Sequence, residues 1–400
     1  MIVLGVSGGI AAYKACEVLR GLTESGYEVQ VVPTAAALRF VGAPTWAALS
    51  GRPVAAEVWD DAHEVPHVSI GRAAELVLVV PATADLIAKA AHGLADDLLT
   101  STLLTATCPV VFVPAMHTEM WEHAATRANV DLLRRRGAVV VEPAVGRLAG
   151  ADSGKGRLPE PVAILALARG VLARGTAGPD LAGRTVVVSA GGTREALDPV
   201  RFLGNRSSGR QGYALAQTAA ARGAKVVLVS ANVALDDPAG VDVVRVSSAQ
   251  ELGAAVTAAA AEADAVVMAA AVADFRPADV APDKIKKEVA APTSIELVRT
   301  DDVLAGLVAA RSGNSPLIVG FAAETGDARL SWLEHGRAKL AAKGCDLLVV
   351  NQVGEGLGFE VADNAAVILG ADGSELEVAH GPKDDLADVI WDLVAARLPY

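Results

Sequence analysis

Apolar runs and amphipathic stretches alternate along most of the chain. In the first part, continuous apolar runs predict strands near 1–6, 28–33, 76–81, 109–114 and 138–142. Periodic stretches predict helices near 10–25, 83–92, 97–106 and 118–136. Strands that read as apolar runs are buried on both faces, and strands alternating with helices build a parallel, doubly wound sheet with right-handed crossovers. After Glu142 the pattern lapses. The stretch PAVGRLAGADSGKGRLPEP (143–161) is rich in Gly, Pro and Ala and has no apolar period, as expected of a lid or a linker. A helix is predicted near 161–173, and ARGTAGPDLAGR (173–184) then reads as an interdomain linker.

The alternation restarts beyond it. Strands are predicted near 184–189, 224–230, 264–271, 294–299, 316–322, 346–351 and 364–370, with helices near 208–222, 248–262, 301–311, 328–343 and 383–398. The expected fold is α/β, two doubly wound Rossmann-like domains at 1–176 and 184–400 joined by 177–183. The length of 400 residues agrees, since it exceeds one ordinary core. Hydrophobic residues make up 52% of the chain and aromatics only 4%, which suits layers of Ala, Val and Leu.

A net charge of −12 argues against binding nucleic-acid backbones. Cys16, Cys108 and Cys345 are scattered without metal-type spacing, so neither disulfides nor a cysteine metal site is expected, and a reducing cytoplasm is the default. The opening MIVLGVSGGIAAYKA has no basic leader and breaks at Gly8-Gly9. No apolar run reaches the ~18 residues of a membrane helix, so neither a signal peptide nor a membrane partner is expected.

Ligands of such folds bind beyond the C-terminal strand ends, where the chemistry is therefore sought. At the first, Ser7-Gly8-Gly9 turns into a helix, a geometry that offers N–H groups to an anion. The turn is not G-x-G-x-x-G, and the second strand ends in Val32-Pro33-Thr34 without an acid. A mononucleotide phosphate held by Ser7, Gly8, Gly9 and Thr34 fits better than NAD. Pro81-Ala82-Thr83-Ala84 enters a helix, with Thr83 as its cap or as a bond to a ligand ring edge. His67 precedes a short helix that leads into the third strand. In VVFVPAMHTEMW (110–121), His117 stands where a buried strand stops.

SGGIAAYK, a His before the third strand, PATAD and PAMHTEMW occur in this order, and together they resemble the homo-oligomeric flavin-containing cysteine decarboxylases. VVVSAGGTREALDPVRFLGNRSSGRQGYALA (186–216) and MAAAVADFRPADVAPDKIKKE (268–288) extend the likeness. Over nearly its whole length the chain resembles the bacterial bifunctional phosphopantothenoylcysteine decarboxylase/phosphopantothenate–cysteine ligases.

That resemblance implies a flavodoxin-like FMN domain followed by a CTP-binding ligase domain in coenzyme A biosynthesis. The ligase would activate 4′-phosphopantothenate as an acyl-cytidylate with CTP and Mg2+, then pass it to L-cysteine. The flavin domain would oxidise the thiol-bearing carbon of 4′-phosphopantothenoylcysteine to a thioaldehyde, lose CO2, and reduce the ene-thiolate to 4′-phosphopantetheine. His67 aligns with the base. His117 replaces the Asn that clamps the substrate carboxylate. Asn205 inherits the contact to the acyl intermediate, and Lys284 the role of forming it. Met268, Ala269, Ala270, Asp274, Lys284, Phe321, Lys339 and Lys343 match nucleotide-contacting positions; no metal ligands are assigned. The family also implies a homo-oligomer, a dodecamer. The flap usually carries a Cys, but Gly150 stands at its place and 143–161 contains none, so His117, Asp152 or water must protonate instead. The alternative is an active ligase fused to a flavin domain that only decarboxylates oxidatively or is regulatory. A two-lobed NAD(P) oxidoreductase would need a dinucleotide fingerprint, which neither half has. A non-enzymatic flavoprotein regulator would lack the ligase residues, and Asn205 and Lys284 are present.

Overall fold

A computed structural model describes residues 1–54, 65–149, 152–175, 179–286, 294–325, 330–352 and 363–399. The chain divides into two compact units, Met1–Asp180 with Ala221–Gly223, and Leu181–Ala220 with the chain from Ala224 onward.

Unit one runs β1 (Ile2–Val6), α1 (Ala12–Glu24), β2 (Val29–Pro33), α2 (Ala43–Ser50), α3 (Pro66–Ala73), β3 (Leu76–Ala82), α4 (Ala84–His92), α5 (Leu98–Thr105) and β4 (Val110–Pro114). It continues through α6 (Thr118–Glu122), α7 (Ala124–Arg135), β5 (Val139–Val140), β6 (Ala144–Arg147), β7 (Ser153–Arg157) and α8 (Pro161–Arg174). The parallel sheet has the order β2-β1-β3-β4-β5. Every residue of β1 and β3 is buried, because alternate side chains enter opposite cores. Leu4, Leu78 and Val111 pack with α1 and α8, while Val3, Val79 and Phe112 pack with α4, α5 and α7.

The helix predicted over 118–136 is two helices. His123 breaks it with extended backbone, and its ring accepts the Ala125 N–H at 3.2 Å to cap α7. The stretch 143–161 holds an antiparallel hairpin, β6 with β7. Its short strands add nothing to the main sheet, so they carry no apolar signature.

Unit two runs β8 (Thr185–Gly191), β9 (Arg194–Ala196), β10 (Phe202–Gly204), α9 (Arg210–Ala221), β11 (Lys225–Ala231), β12 (Val241–Val246), α10 (Ala249–Ala260), β13 (Ala265–Met268), β14 (Phe275–Pro277) and β15 (Leu297–Arg299). It ends with α11 (Val303–Ala310), β16 (Leu317–Glu324), α12 (Trp332–Lys343), β17 (Leu347–Gln352), β18 (Asp363–Gly370), β19 (Glu375–Pro382) and α13 (Lys383–Ala395). The main sheet has the order β12-β11-β8-β13-β16-β17-β18-β19, parallel as far as β17 and antiparallel beyond it. The strand predicted at 294–299 is β15, which lies outside this sheet and, among the described residues, pairs with β14 alone. The edge strands β12 and β19 carried no continuous apolar run because their residues are largely exposed. One core, including Leu215, Leu228 and Trp391, lies under α9 and α13. Another, including Leu252, Ile318 and Leu348, lies under α10, α11 and α12.

Candidate active sites

The turn after β1 brings four N–H groups, those of Gly8, Gly9, Ile10 and Ala11, to the start of α1, and none finds an acceptor among the described residues. Orphan donors at a helix start favour an anion. Gly8 is required sterically, since a Cβ there would lie 2.3 Å from Ala36 Cβ and 2.9 Å from the Ala36 carbonyl carbon. Ser7 is buried and turned inward. Its hydroxyl donates to Pro81 O at 2.7 Å and accepts the Thr83 N–H at 2.9 Å, so it ties the ends of β1 and β3 together beneath the cradle. Thr34 stands at the end of β2, its hydroxyl accepting the Ala37 N–H at 3.2 Å. Thr83 caps α4 through the Leu86 N–H at 3.4 Å, with its side chain half-buried beside Gly9. These groups fit a phosphate-bearing flavin.

His67 lies in the first turn of α3. The Thr105 hydroxyl donates to its carbonyl at 2.6 Å, and Gly71 lets α3 approach the same threonine. Its Nδ1 is buried with no partner among the described residues, a costly state unless a ligand completes it.

His117 is the residue before α6, and its side chain makes no capping hydrogen bond. The hairpin lies directly against this segment. Met116 N–H donates to Gly156 O at 3.0 Å, and a Cβ on Gly156 or Gly154 would meet Met116 O at 2.1 Å or Thr118 Oγ1 at 2.3 Å. Asp152 therefore comes within 4.0 Å of His117 Nδ1, both side chains staying substantially exposed at 72% and 45%. The flap base is anchored by Glu142, which takes Arg134 at 2.9 Å and Lys155 at 2.6 Å. Burial works to raise the Glu142 pKa, but the two cations win and hold it below the usual range. Gly150, at the place of the family's cysteine, lies outside the described residues.

In unit two, the turn after β8 is zipped to the end of β13. Ala271 N–H donates to Gly191 O at 2.7 Å and Thr193 N–H to Ala271 O at 3.2 Å. The β9–β10 ribbon folds over this turn and presents Asn205, exposed, with Nδ2 donating to Val272 O at 3.0 Å. Met268 is buried and receives the Ser189 hydroxyl at 3.6 Å; the same oxygen accepts the Ala270 N–H at 3.1 Å. Ala269 and Phe321 are half-buried and pack on the core below, while the Asp274 side chain is exposed beyond β13.

Lys284 is exposed and has no ion-pair partner among the described residues. Its segment is tied to the 197–201 loop: Ala281 N–H donates to Leu197 O at 3.0 Å, and Ile285 N–H to Asp198 Oδ2 at 3.2 Å. Asp198 is buried and also accepts the N–H groups of Val200 at 2.7 Å and Arg201 at 2.8 Å. Lys339 and Lys343 stand one turn apart on α12 and are already engaged. Lys339 meets Glu324 at 2.7 Å, and Lys343 pairs with Asp302, the N-cap of α11. Neither ammonium is free as Lys284 is.

Sequence reasoning passed over Asp198 as an anchor and Glu142 as the flap base. Asp198 could have been found from the Asp-Pro turn signal inside its motif. Glu142 had no local signal, since its partners lie 8 and 13 positions on either side.

Residues 1–173 match the family described as Flavoprotein, and residues 181–398 the one described as DNA/pantothenate metabolism flavoprotein C-terminal domain. The coenzyme A biosynthesis bifunctional protein CoaBC of Mycobacterium tuberculosis (strain ATCC 25618 / H37Rv) is 62% identical over 403 residues, covering 99% of this chain and 96% of the relative. The protein of the same name from Mycolicibacterium smegmatis (strain ATCC 700084 / mc(2)155) is 62% identical, covering 99% and 97%. A solved structure of the C-terminal domain of a coenzyme A biosynthesis bifunctional protein CoaBC is 35% identical with a TM-score of 0.46, covering 55% of this chain and 97% of that one. Among the described residues no helix is long and apolar enough to cross a membrane.

Proposed function

The chain belongs to the family of coenzyme A biosynthesis bifunctional proteins, and from that premise we propose the chemistry of its two sites. It is a bifunctional enzyme, a decarboxylase joined to a ligase. What carries the reading of both sites is the end-to-end match at 62% identity, which spans both units.

In unit two, the carboxylate of 4′-phosphopantothenate attacks the α-phosphorus of CTP. An acyl-cytidylate forms and pyrophosphate leaves. The amine of L-cysteine then displaces CMP, giving 4′-phosphopantothenoylcysteine. Lys284 offsets the charge that builds when a carboxylate meets a triphosphate, and the absence of an ion-pair partner for it among the described residues suits that role. Asn205 faces the acyl group with its side-chain oxygen, its nitrogen being held by Val272 O. Met268, Ala269, Ala270, Asp274 and Phe321 border the nucleotide, and Lys339 and Lys343 serve it on exchanging their carboxylate partners for phosphate. Mg2+ would accompany CTP, where it would neutralise charge on the triphosphate.

In unit one, Gly8, Gly9 and the N–H groups up to Ala11 hold the FMN phosphate, Thr34 and Thr83 border the flavin, and Ser7 braces the cradle. Bound FMN supplies the two-electron oxidation of the substrate and returns the electrons after CO2 has left. His67 takes the substrate proton at Nδ1, which has no partner among the described residues. His117 donates to the substrate carboxylate at the end of β4. The flap covers this segment, and Asp152 and His117 together hold the proton that the missing cysteine would have supplied.

The assembly we expect is a cytoplasmic homo-oligomer, a dodecamer, which light scattering on the purified protein will test. The catalytic reading is tested by pyrophosphate release from CTP that depends on 4′-phosphopantothenate. Release without that dependence would contradict it.

A further inference from the structure

The chain leaves β11 through Asn232 at φ 54, in the left-handed region that side-chain-bearing residues rarely adopt. Asparagine is one of the few that tolerate it, because its short amide bonds nearby backbone. Here Nδ2 donates to Gly192 O and to Ser247 O, both at 2.9 Å, and Oδ1 accepts the Ser247 hydroxyl at 3.2 Å. All three contacts agree on one orientation of the amide. A strained φ persists where the surroundings over-determine it, and such positions cluster at functional sites.

Gly192 C=O and Thr193 N–H belong to one peptide unit, which is planar, so the two groups point in opposite directions. The carbonyl meets Asn232 at the end of β11, and the N–H meets Ala271 O at 3.2 Å beyond β13. That single peptide therefore spans the two strands that flank β8. The ligase residues are built around it. The Thr193 hydroxyl accepts the Ala273 N–H at 2.9 Å, Asn205 donates to Val272 O, and the Asn205 carbonyl would sit 2.8 Å from a Cβ on Gly192. Asn232, Gly192, Asn205, Arg206 and Ser207 line one polar pocket.

We propose that Asn232 is a positioning residue of the ligase site. Its amide sets the Gly192–Thr193 peptide, and through that peptide it places Asn205 and the Ala271–Asp274 segment against the reacting groups. This rests on the ligase reading given above.

Two variants of the full-length protein test it. Asn232→Gly keeps the left-handed backbone and removes the amide, and Asn232→Asp keeps the shape but sets an acceptor oxygen against the Gly192 and Ser247 carbonyls in place of the Nδ2 donor. Hydrogen exchange at the Thr193 amide and CTP-dependent pyrophosphate release, with kcat and KM separated, are measured well below Tm. The expected result is faster Thr193 exchange and a fall in kcat/KM of roughly tenfold or more in both variants, with flavin content unchanged. A role confined to capping β11 would lower Tm and leave kcat/KM at the wild-type value, which overturns the proposal. So does unchanged exchange at Thr193. Absence of CTP turnover in the wild type is a separate failure, that of the ligase reading. Exchange at Thr193 then still decides whether Asn232 holds the peptide.

Discussion

The carboxylate of Asp198 accepts the backbone N–H of Ile285 at 3.2 Å, so a buried anion fixes the position of the residue next to Lys284. Burial works to raise the Asp198 pKa, but the N–H groups of Val200, Arg201 and Ile285 and the charge of Arg201 outweigh it. The result lies below the usual carboxylate range.

Asp198→Ala should therefore reduce ligase turnover by roughly tenfold or more while leaving the flavin spectrum intact, because three N–H groups lose their acceptor and the lysine segment loses its tether. A depressed carboxylate contributes stability that is present above its unfolded value of about 3.9 and is lost as pH falls through the lower folded value. Acid titration of unit two, followed by fluorescence, should show a loss of stability in that window that is absent in Asp198→Asn.

Glu142 governs the flap in the same way. Its anchoring by Lys155 and Arg134 should hold at neutral pH and fade as pH falls below about 4.3 toward the lower folded value. Glu142→Gln should expose the flap at pH 7. Limited trypsin digestion should then cut at Lys155 or Arg157 several-fold faster than in the wild type, with ligase activity unaffected. An unchanged cutting rate would remove Glu142 from this role.

Gly8→Ala should abolish flavin binding without unfolding the sheet. The added Cβ meets Ala36 backbone and side chain at under 3 Å, so the turn that aims the N–H groups must move. Purified variant protein should be colourless and retain CTP-dependent pyrophosphate release. A yellow variant with full flavin occupancy would contradict the cradle.

His117→Ala should lower decarboxylase kcat/KM by roughly ten- to a hundredfold with flavin content unchanged. His117→Asn, which restores a donor to the carboxylate but cannot carry a proton, should recover most of the loss in kcat/KM for CO2 release while reduced flavin accumulates. Equal activity in all three proteins would mean that His117 touches nothing in the reaction.

Much of this was legible because the informative segments are buried on both faces. β1, β3 and β4 read as apolar runs; Gly8 and Gly9 turn the chain after β1, and a proline marks the last residues of β3 and β4. The flap hairpin was not legible, since strands made of Ser, Gly, Lys and Arg have no hydrophobic face to betray them. β12 and β19 escaped notice for the related reason that they are exposed edges. At the sites, residue types were visible but orientations were not. Ser7 looked like a phosphate ligand, yet its hydroxyl is spent between β1 and β3. Lys339 and Lys343 read alike with Lys284, but only contacts distant in sequence reveal that the first two are paired. Asn232 gave no signal, because a lone asparagine after a strand is an ordinary turn residue.

On the reading proposed above, one chain completes the sequence to 4′-phosphopantetheine without a cysteine in its flap. The most direct test of that reading supplies purified protein with 4′-phosphopantothenoylcysteine and follows the products by mass spectrometry and the flavin by absorbance. The expected product is 4′-phosphopantetheine, with the flavin returned to its oxidised state. A product lighter by the mass of the hydrogen pair left on the flavin, with the flavin accumulating reduced, would contradict it.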